Sequence, residues 1–186
     1  GFLLSRPALA QTSDEVELYL FDLPGVQFEA VPAPAMFESS WTLLVQQPLD
    51  HEHPELGSFR QKVYVSHFES DRPVVLVTEG YNRGRNYTSE LAAAIGANQV
   101  VVEHRFYGAS VPDSMDYTHL NIRQAAADLH RIKEMLSELY DVPWVASGIS
   151  KGGQTTLYYR YLYPDDVAAS APYVAPINLA LEDERI

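Results

Sequence analysis

The feature that most constrains this fold is a series of short, uninterrupted apolar runs rich in valine. Residues 74–77 and 100–102 form two such runs, and residues 144–149 and 167–174 are predicted as a third and a fourth strand of the same series, with less uniformly apolar sequences. A strand with one solvated face alternates polar and apolar residues, whereas a continuous apolar run indicates a strand buried on both faces. The runs therefore predict a parallel sheet covered by helices.

Helical patterns fill the intervals between these runs. Thr88 or Ser89 can cap a helix that ends at Gly96, and a further helix is predicted over residues 151–163. The longest helix begins after Asn121, and one apolar stripe marks its buried face: Ile122, Ala125, Leu129, Ile132, Leu136 and Leu139. Strands and helices that alternate in this way predict right-handed crossovers, with ligands bound at the carboxyl ends of the strands.

The first part of the chain has a different pattern. Residues 41–47 and 58–68 are two β-rich segments separated by a loop with proline and glycine, which predicts an antiparallel hairpin. Residues 12–40 contain prolines and scattered apolar side chains without a sustained period, and we interpret them as an irregular segment of an N-terminal arm over residues 1–40. The predicted fold class is α/β: a hairpin followed by parallel strands with helical crossovers, over residues 41–186.

Composition narrows the classes of partner and chemistry. The 186 residues carry 13 Lys and Arg against 25 Asp and Glu, a formal charge of −12. This balance argues against nucleic acid or an anionic membrane as a partner, since phosphate affinity depends on basic side chains. The chain has no cysteine, so disulfides, thiolate nucleophiles and cysteine zinc sites are excluded. No apolar run approaches the roughly 18 residues of a membrane-spanning helix. We also expect no cofactor.

A G-x-S-x-G motif carries the predicted chemistry. Residues 148–152 read Gly-Ile-Ser-Lys-Gly and lie between a predicted buried strand and a predicted helix. In that context the motif forms a sharp turn, which holds the serine in a strained conformation and exposes its hydroxyl at the sheet edge. Ser150 is therefore the predicted nucleophile. The amide of Lys151, at the start of the helix, is predicted to stabilise a developing oxyanion.

Further groups are expected at the same edge of the sheet. The loop after the first parallel strand should supply the second oxyanion donor, for which we predict the amide of Tyr81. Glu79 and Glu103 each follow a buried strand at the edge where Ser150 is expected, and a carboxylate there could bind the ammonium group of a peptide N-terminus. For Glu103 a structural pairing with Arg105 is the favoured alternative, and for Glu79 both interpretations stay open.

The predicted nucleophile lacks its usual partners in this sequence. In this architecture an acidic residue and then a histidine base follow the serine along the chain. All six histidines precede Ser150, and only three acidic residues follow residue 174. We infer that the chain is the N-terminal part of a longer enzyme whose remainder supplies both groups. His104 is an upstream alternative for the base, although a structural role is favoured for it.

No metal site is predicted from the remaining histidines. His51 and His53 flank a glutamate, but this spacing in a hairpin loop is a weak zinc signal. His130 falls in the middle of the longest predicted helix beside charged neighbours, and we expect it to be solvated.

Five segments, taken in order, resemble one family. They are residues 47–51 (QPLDH), 78–81 (TEGY), 103–108 (EHRFYG), 124–128 (QAAAD) and 150–153 (SKGG). This combination resembles the secreted bacterial tripeptidyl aminopeptidases and, more distantly, prolyl carboxypeptidase and dipeptidyl peptidase II. The resemblance covers about residues 41–178, and the ordered combination is more specific than any single motif.

The resemblance implies a truncated α/β-hydrolase core and an exported serine exopeptidase that releases short peptides, such as tripeptides, from free N-termini. Ser150 matches the family nucleophile, whereas the family's Asp and His have no match in these residues. The implied partners are a peptide substrate and the C-terminal remainder of the same enzyme. Two alternatives stay open: an esterase or lipase of the same fold, and a catalytically inert binding module.

Two expectations concern the ends of the sequence. Residues 1–11 resemble the end of a secretory signal with an A-x-A site, or else an unstructured tail; export is favoured, to a secreted or periplasmic location. A sheet that ends after its fourth parallel strand has an apolar edge with unpaired backbone groups. We therefore expect the isolated chain to associate, or to stay bound to its C-terminal remainder.

Overall fold

The computed structural model describes residues 12–177, which contain one mixed sheet of seven strands with helices on both faces. The strands are β1 (Val26–Ala30), β2 (Ser39–Pro48), β3 (Ser58–His67), β4 (Val74–Thr78), β5 (Asn98–Val102), β6 (Trp144–Ile149) and β7 (Ala169–Tyr173). The helices are α1 (Ser13–Asp22), α2 (Glu90–Ile95), α3 (Ile122–Leu136) and α4 (Lys151–Leu162), with short 3-10 turns at Pro54–Leu56 and Tyr117–His119. Residues 1–11, which hold the candidate signal remnant, lie outside the described part.

The strand order across the sheet is β1-β2-β3-β5-β4-β6-β7. β2 and β3 pair antiparallel, so the predicted hairpin is confirmed. β4 pairs in parallel with β5 on one side and with β6 on the other, and β7 pairs in parallel with β6. The predicted parallel strands with helical crossovers are therefore confirmed. β4 lies between β5 and β6, so the carboxyl ends of these three strands meet at one edge of the sheet.

The central strands are buried on both faces, as their continuous apolar sequence predicted. Every residue of β4 and of β5 is buried. Along β4, Val74 and Leu76 pack into the apolar cluster that includes residues of α1, α3 and α4. Val75 and Val77 point to the opposite face, where they pack in a smaller cluster with Ala92 of α2. Helices thus cover both faces, which leaves the strand ends as the accessible part of the sheet centre.

The segment before β2 is more regular than the sequence predicted. The prediction of an irregular arm is wrong for α1 and β1, since β1 pairs antiparallel with β2. A capping box formed by Thr12 and Glu15 begins α1. The buried residues of this helix are Val16 and Leu20, a stripe too narrow to give a clear helical period. The boundary between arm and domain at residue 40 stays a prediction.

The helix caps that the sequence predicted are present. The Ser89 hydroxyl accepts a hydrogen bond from the first turn of α2, and Gly96 ends that helix with φ 58°. The Asn121 side chain accepts from the amide of Gln124 at the start of α3. Ile122 is nevertheless exposed, so the predicted stripe is wrong at its first residue. Leu139 is buried as predicted, although it lies beyond the end of α3. In residues 12–177 no helix is both long and apolar enough to cross a membrane.

Candidate active site

Ser150 lies in the sharp turn between β6 and α4, at the carboxyl edge of the sheet. Its backbone has φ 55° and ψ −120°, a conformation that non-glycine residues rarely adopt. Two backbone hydrogen bonds hold the turn: the Ser150 amide donates to the Tyr173 carbonyl (2.9 Å), and the Ser150 carbonyl accepts from the Gln154 amide (2.9 Å). The residue is exposed, so the strained turn presents its hydroxyl to solvent as the motif predicted.

The turn packs directly against the end of β4. The Thr78 hydroxyl lies 2.8 Å from the Gly152 carbonyl oxygen and 2.7 Å from the Thr156 hydroxyl, both on α4. A side chain at Gly148 would overlap backbone atoms of Gly152 and Thr78. Sequence reasoning missed the role of Thr78, although a lone polar residue that ends an all-apolar strand is the signal that indicates it.

The loop after β4 lies against the first turn of α4, where it was predicted to supply an oxyanion donor. A Cβ atom on Gly80 would lie 2.6 Å from Lys151 Cβ and 2.7 Å from the Gly152 amide nitrogen, so only glycine fits there. The Tyr81 carbonyl accepts a hydrogen bond from the His104 amide (3.1 Å), which fixes the far side of the loop. The structure thus brings the predicted oxyanion residues Tyr81 and Lys151 together beside Ser150.

The side chain of Lys151 turns back onto this loop. Its Nζ donates a 2.6 Å hydrogen bond to the Gly80 carbonyl oxygen. It also lies 5.0 Å from the ring centroid of Tyr81 and 5.1 Å from that of Tyr107, and the two rings meet edge to face at 5.4 Å. Burial lowers the pKa of the Lys151 ammonium. The sequence indicated only the backbone amide of this residue, so the contacts of its side chain are new.

Glu79 lies at the sheet edge next to the loop and is partly exposed. Its carboxylate accepts a 2.6 Å hydrogen bond from Nε of Arg83, and a second guanidinium nitrogen of Arg83 lies 2.5 Å away. The Tyr87 hydroxyl is 3.5 Å from the same carboxylate oxygen, and the Arg83 guanidinium lies over the Tyr87 ring at 4.2 Å. Glu79 is therefore a carboxylate with a 16% exposed side chain that already has one cationic partner.

Glu103 has a different environment, because its side chain is 1% exposed. One carboxylate oxygen accepts from the Ala109 amide (2.8 Å) and the Ser110 hydroxyl (2.9 Å). The other accepts from the Arg83 amide (2.7 Å) and lies 3.0 Å from Lys62 Nζ. These four contacts favour a structural role for Glu103. Substrate binding by Glu103 stays a prediction that no contact here supports.

The predicted pairing of Glu103 with Arg105 is wrong. Arg105 is fully buried and forms a two-point ion pair with Asp128 of α3, with Nε–Oδ2 at 2.7 Å and Nη2–Oδ1 at 2.9 Å. Its remaining donors bind backbone carbonyls that sequence reasoning had not linked to it: Pro48, Leu49 and His119. β5 ends at Val102, so the alternation of faces that the prediction assumed does not continue to Arg105.

His104, the upstream candidate for a base, has a structural hydrogen bond. Its Nδ1 lies 2.9 Å from the Arg105 carbonyl oxygen, so the neutral ring donates from Nδ1. Burial, with a smaller contribution from the charge of Lys151, lowers the pKa of His104 to about 4. His104 lines a cavity of about 170 Å³ together with Tyr107 and Lys151. In residues 12–177, no histidine ring is hydrogen-bonded to the Ser150 hydroxyl.

The remaining histidines have protein partners. His51 binds Asp128 at 2.8 Å. The sequence predicted a solvated His130. In the structure its ring stacks on Tyr163 at 4.2 Å and binds Asp166 at 2.8 Å. The ligand atoms of His130, Glu134 and Asp166 lie within 4.8 Å of one another, close enough to hold a metal ion. The hydrogen bond between His130 and Asp166 already accounts for this proximity.

A model of the family described as PS-10 peptidase S37 matches residues 14–185. The chain belongs to this family. It is 38% identical to a prolyl tri/tetrapeptidyl aminopeptidase of Streptomyces mobaraensis over 84% of its own length and 33% of that protein. It is 26% identical to a mouse lysosomal Pro-X carboxypeptidase over 90% of its length and 38% of that protein. The chain thus spans about a third of the length of these relatives, and the resemblance seen in its motifs is confirmed.

Solved structures show the same fold at low sequence identity. Acetyl xylan esterase 1 of Thermoanaerobacterium matches with a TM-score of 0.56 and 15% identity, over 84% of this chain and 55% of that one. Cfl2 of Burkholderia cenocepacia matches with a TM-score of 0.52 and 15% identity, over 84% of this chain and 50% of that one. The peptidase S37 chain therefore contains part of an α/β-hydrolase core, as its strand and helix pattern predicted.

Proposed function

We propose that this chain carries the nucleophile of a serine exopeptidase that releases short peptides, such as tripeptides, from free N-termini. The single observation that supports it most directly is the strained, exposed Ser150, packed beside the loop at residues 79–81 and at the start of α4. Membership of a serine peptidase family supplies the reaction class, and the aminopeptidase relative suggests the substrate class.

The chemistry begins with attack of the Ser150 oxygen on the carbonyl carbon of the scissile peptide bond. A general base removes the hydroxyl proton, and the carbonyl oxygen becomes an oxyanion that the amides of Lys151 and Tyr81 stabilise. The partial positive charge at the start of α4 favours the same oxygen. Protonation of the leaving amine breaks the C–N bond and leaves an acyl-enzyme on Ser150, which water then hydrolyses.

The base and its carboxylate partner are proposed to lie in the C-terminal remainder of the complete enzyme. This proposal is supported by the length of the relatives, of which the chain covers about a third. The serine in the 186 residues alone should therefore be unactivated. A fluorophosphonate probe should leave Ser150 unlabelled in the isolated chain, and addition of the C-terminal remainder should restore labelling. If labelling were not restored, the inert binding module would become the better interpretation.

Recognition of a free N-terminus is assigned to Glu79. Its side chain is 16% exposed at the same edge as Ser150, and an ammonium group could share the carboxylate with Arg83 or displace that side chain. A charge-assisted hydrogen bond of this kind requires an ionised carboxylate. Glu79→Gln should therefore raise the KM for a tripeptide amide with a free N-terminus and leave an N-acetylated analogue unaffected.

The decisive experiment compares substrates on the complete protein. We expect hydrolysis of a tripeptide amide with a free N-terminus, and much slower hydrolysis of its N-acetylated analogue and of a simple acetyl ester. Ser150→Ala should abolish this hydrolysis and leave the unfolding midpoint unchanged. Turnover in Ser150→Ala would dismiss the nucleophile, and preferred hydrolysis of the ester would favour an esterase of the same fold. The proposed secreted or periplasmic location would be tested by cell fractionation.

A further inference from the structure

The structure assigns a role to the Lys151 side chain that rests on the proposed function. We propose that Lys151 is a positioning residue that holds the peptide group between Gly80 and Tyr81 in the orientation needed for oxyanion stabilisation. The ammonium group accomplishes this through its 2.6 Å hydrogen bond to the Gly80 carbonyl oxygen. One residue would then control both donors: its own amide directly, and the Tyr81 amide through its side chain.

Lys151 can orient the Tyr81 amide because the peptide group between Gly80 and Tyr81 is planar. The Gly80 carbonyl and the Tyr81 N–H belong to the same peptide unit, and residues 12–177 contain no cis peptide bond. In a planar trans peptide, the C=O and N–H bonds point in opposite directions. A donor that holds the Gly80 oxygen on one side therefore aims the Tyr81 N–H at the other side. The direction of the predicted oxyanion donor is thus set by Lys151.

The surroundings of Lys151 keep its ammonium in place. The rings of Tyr81 and Tyr107 lie 5.0 Å and 5.1 Å from Nζ, within the range of a cation–π interaction. Gly80 also packs closely on Lys151 from the backbone side, since a Cβ on Gly80 would lie only 2.6 Å from the Lys151 Cβ. We call this arrangement of Lys151, the Gly80 carbonyl and the rings of Tyr81 and Tyr107 the clamp. A loop without the clamp would have to orient its amide during the reaction, whereas oxyanion donors are effective because they are oriented beforehand.

The charge of the clamp has a second consequence. An ammonium bound to a carbonyl oxygen polarises the whole peptide group, which makes its N–H a stronger donor. This polarisation should favour the transition state, in which the oxyanion carries full negative charge, over the neutral ground state. Loss of the clamp should therefore lower kcat and have little effect on KM. A lysine that only supported the fold would not produce this separation.

The test uses Lys151→Met, which keeps the side-chain length and removes the charge, in the complete protein. We expect kcat to fall about 100-fold, the usual cost of losing one oxyanion donor, and KM to change by less than about threefold. Lys151→Arg retains a cationic donor, so its kcat should be about tenfold higher than that of Lys151→Met. Lys133→Met is the matched control, since Lys133 lies in the last turn of α3. The kcat of this variant should stay within about twofold of the wild-type value.

A second measurement separates positioning from folding. A peptidyl trifluoromethyl ketone with a free N-terminus forms a hemiketal whose oxygen mimics the oxyanion, so its affinity should fall in Lys151→Met by the same factor as kcat. If Lys151→Met proves unstable by thermal unfolding, Tyr107→Leu removes one ring of the clamp and should give a smaller loss in kcat.

Two results have distinct meanings. Wild-type kcat in a folded Lys151→Met variant, while Ser150→Ala is inactive, would overturn the role of the lysine and leave the proposed function intact. Turnover in Ser150→Ala would instead overturn the proposed function itself.

Discussion

Arg105 and Asp128 form a fully buried ion pair joined by two hydrogen bonds of 2.7 Å and 2.9 Å. Asp128 belongs to α3, and Arg105 follows β5, so the pair fastens the longest helix to the loop beyond the central strands. The Arg105 guanidinium also binds the carbonyl oxygens of Pro48, at the end of β2, and of Leu49, directly after it. The pair thus links α3, the end of β2 and the segment that follows β5.

Loss of this pair should destabilise the fold. Arg105→Met removes one partner and leaves the Asp128 carboxylate buried without its main counter-charge, which should cost about 3–5 kcal/mol. Urea unfolding of the complete protein measures this change. Arg60→Met is the matched control, because Arg60 is exposed on β3, and it should cost less than about 0.5 kcal/mol. A loss below about 1 kcal/mol in Arg105→Met would contradict the structural importance of the pair.

A side chain at Gly80 should impair catalysis. In Gly80→Ala the new Cβ would lie 2.6 Å from Lys151 Cβ, so the loop must move away from α4. A displacement of roughly 1 Å at a catalytic group can reduce activity about 100-fold, so kcat/KM should fall by one to two orders of magnitude. Gly84→Ala provides the control: a Cβ there meets no atom within 4 Å, and its kcat/KM should be unchanged. Equal activity in both variants would mean that the loop does not take part.

His104 should make stability depend on pH. Its pKa is lowered from 6.5 to about 4 by burial, so between these values the unfolded chain binds a proton that the folded chain does not. Stability from this group is complete above about pH 6.5 and is lost as the pH falls towards 4, with roughly 2 kcal/mol lost by about pH 5. Urea unfolding at about pH 6.5 and about pH 5 should show a smaller drop in the free energy of unfolding for His104→Gln than for wild type. An equal drop in both would show that His104 does not titrate in this way.

The open side of β7 should make the isolated chain associate. Among the described strands β7 pairs with β6 alone, and exposed apolar side chains lie beside it: Ile149, Val174 and Ile177. An unpaired edge next to an apolar surface favours association with other chains. Light scattering of the 186-residue chain should therefore detect oligomers, and addition of the C-terminal remainder that we propose should reduce them to a defined complex. A stable monomer without that remainder would contradict the prediction.

Much of the sheet could be predicted because its signals are local. The valine-rich runs that became β4 and β5 require burial on both faces whatever surrounds them. The cap of α3 at Asn121, and that of α2 to within one residue at Thr88 or Ser89, could be predicted because capping depends on a few neighbouring residues. The arm was misjudged for the opposite reason. Since α1 buries little more than Val16 and Leu20, its stability comes from packing on the sheet rather than from a pattern of its own.

The amino-acid sequence by itself determined the class of fold and the position of the strained serine, because burial pattern and the turn at residues 148–152 depend on local chemistry. Only the tertiary structure decided which side chains pair across the edge. It placed Lys62 on Glu103, Asp128 on Arg105 and Lys151 on the Gly80 carbonyl. These partners are 41, 23 and 71 positions apart. Contacts over such separations follow from strand order and crossover geometry, which leave no trace in any short stretch of residues.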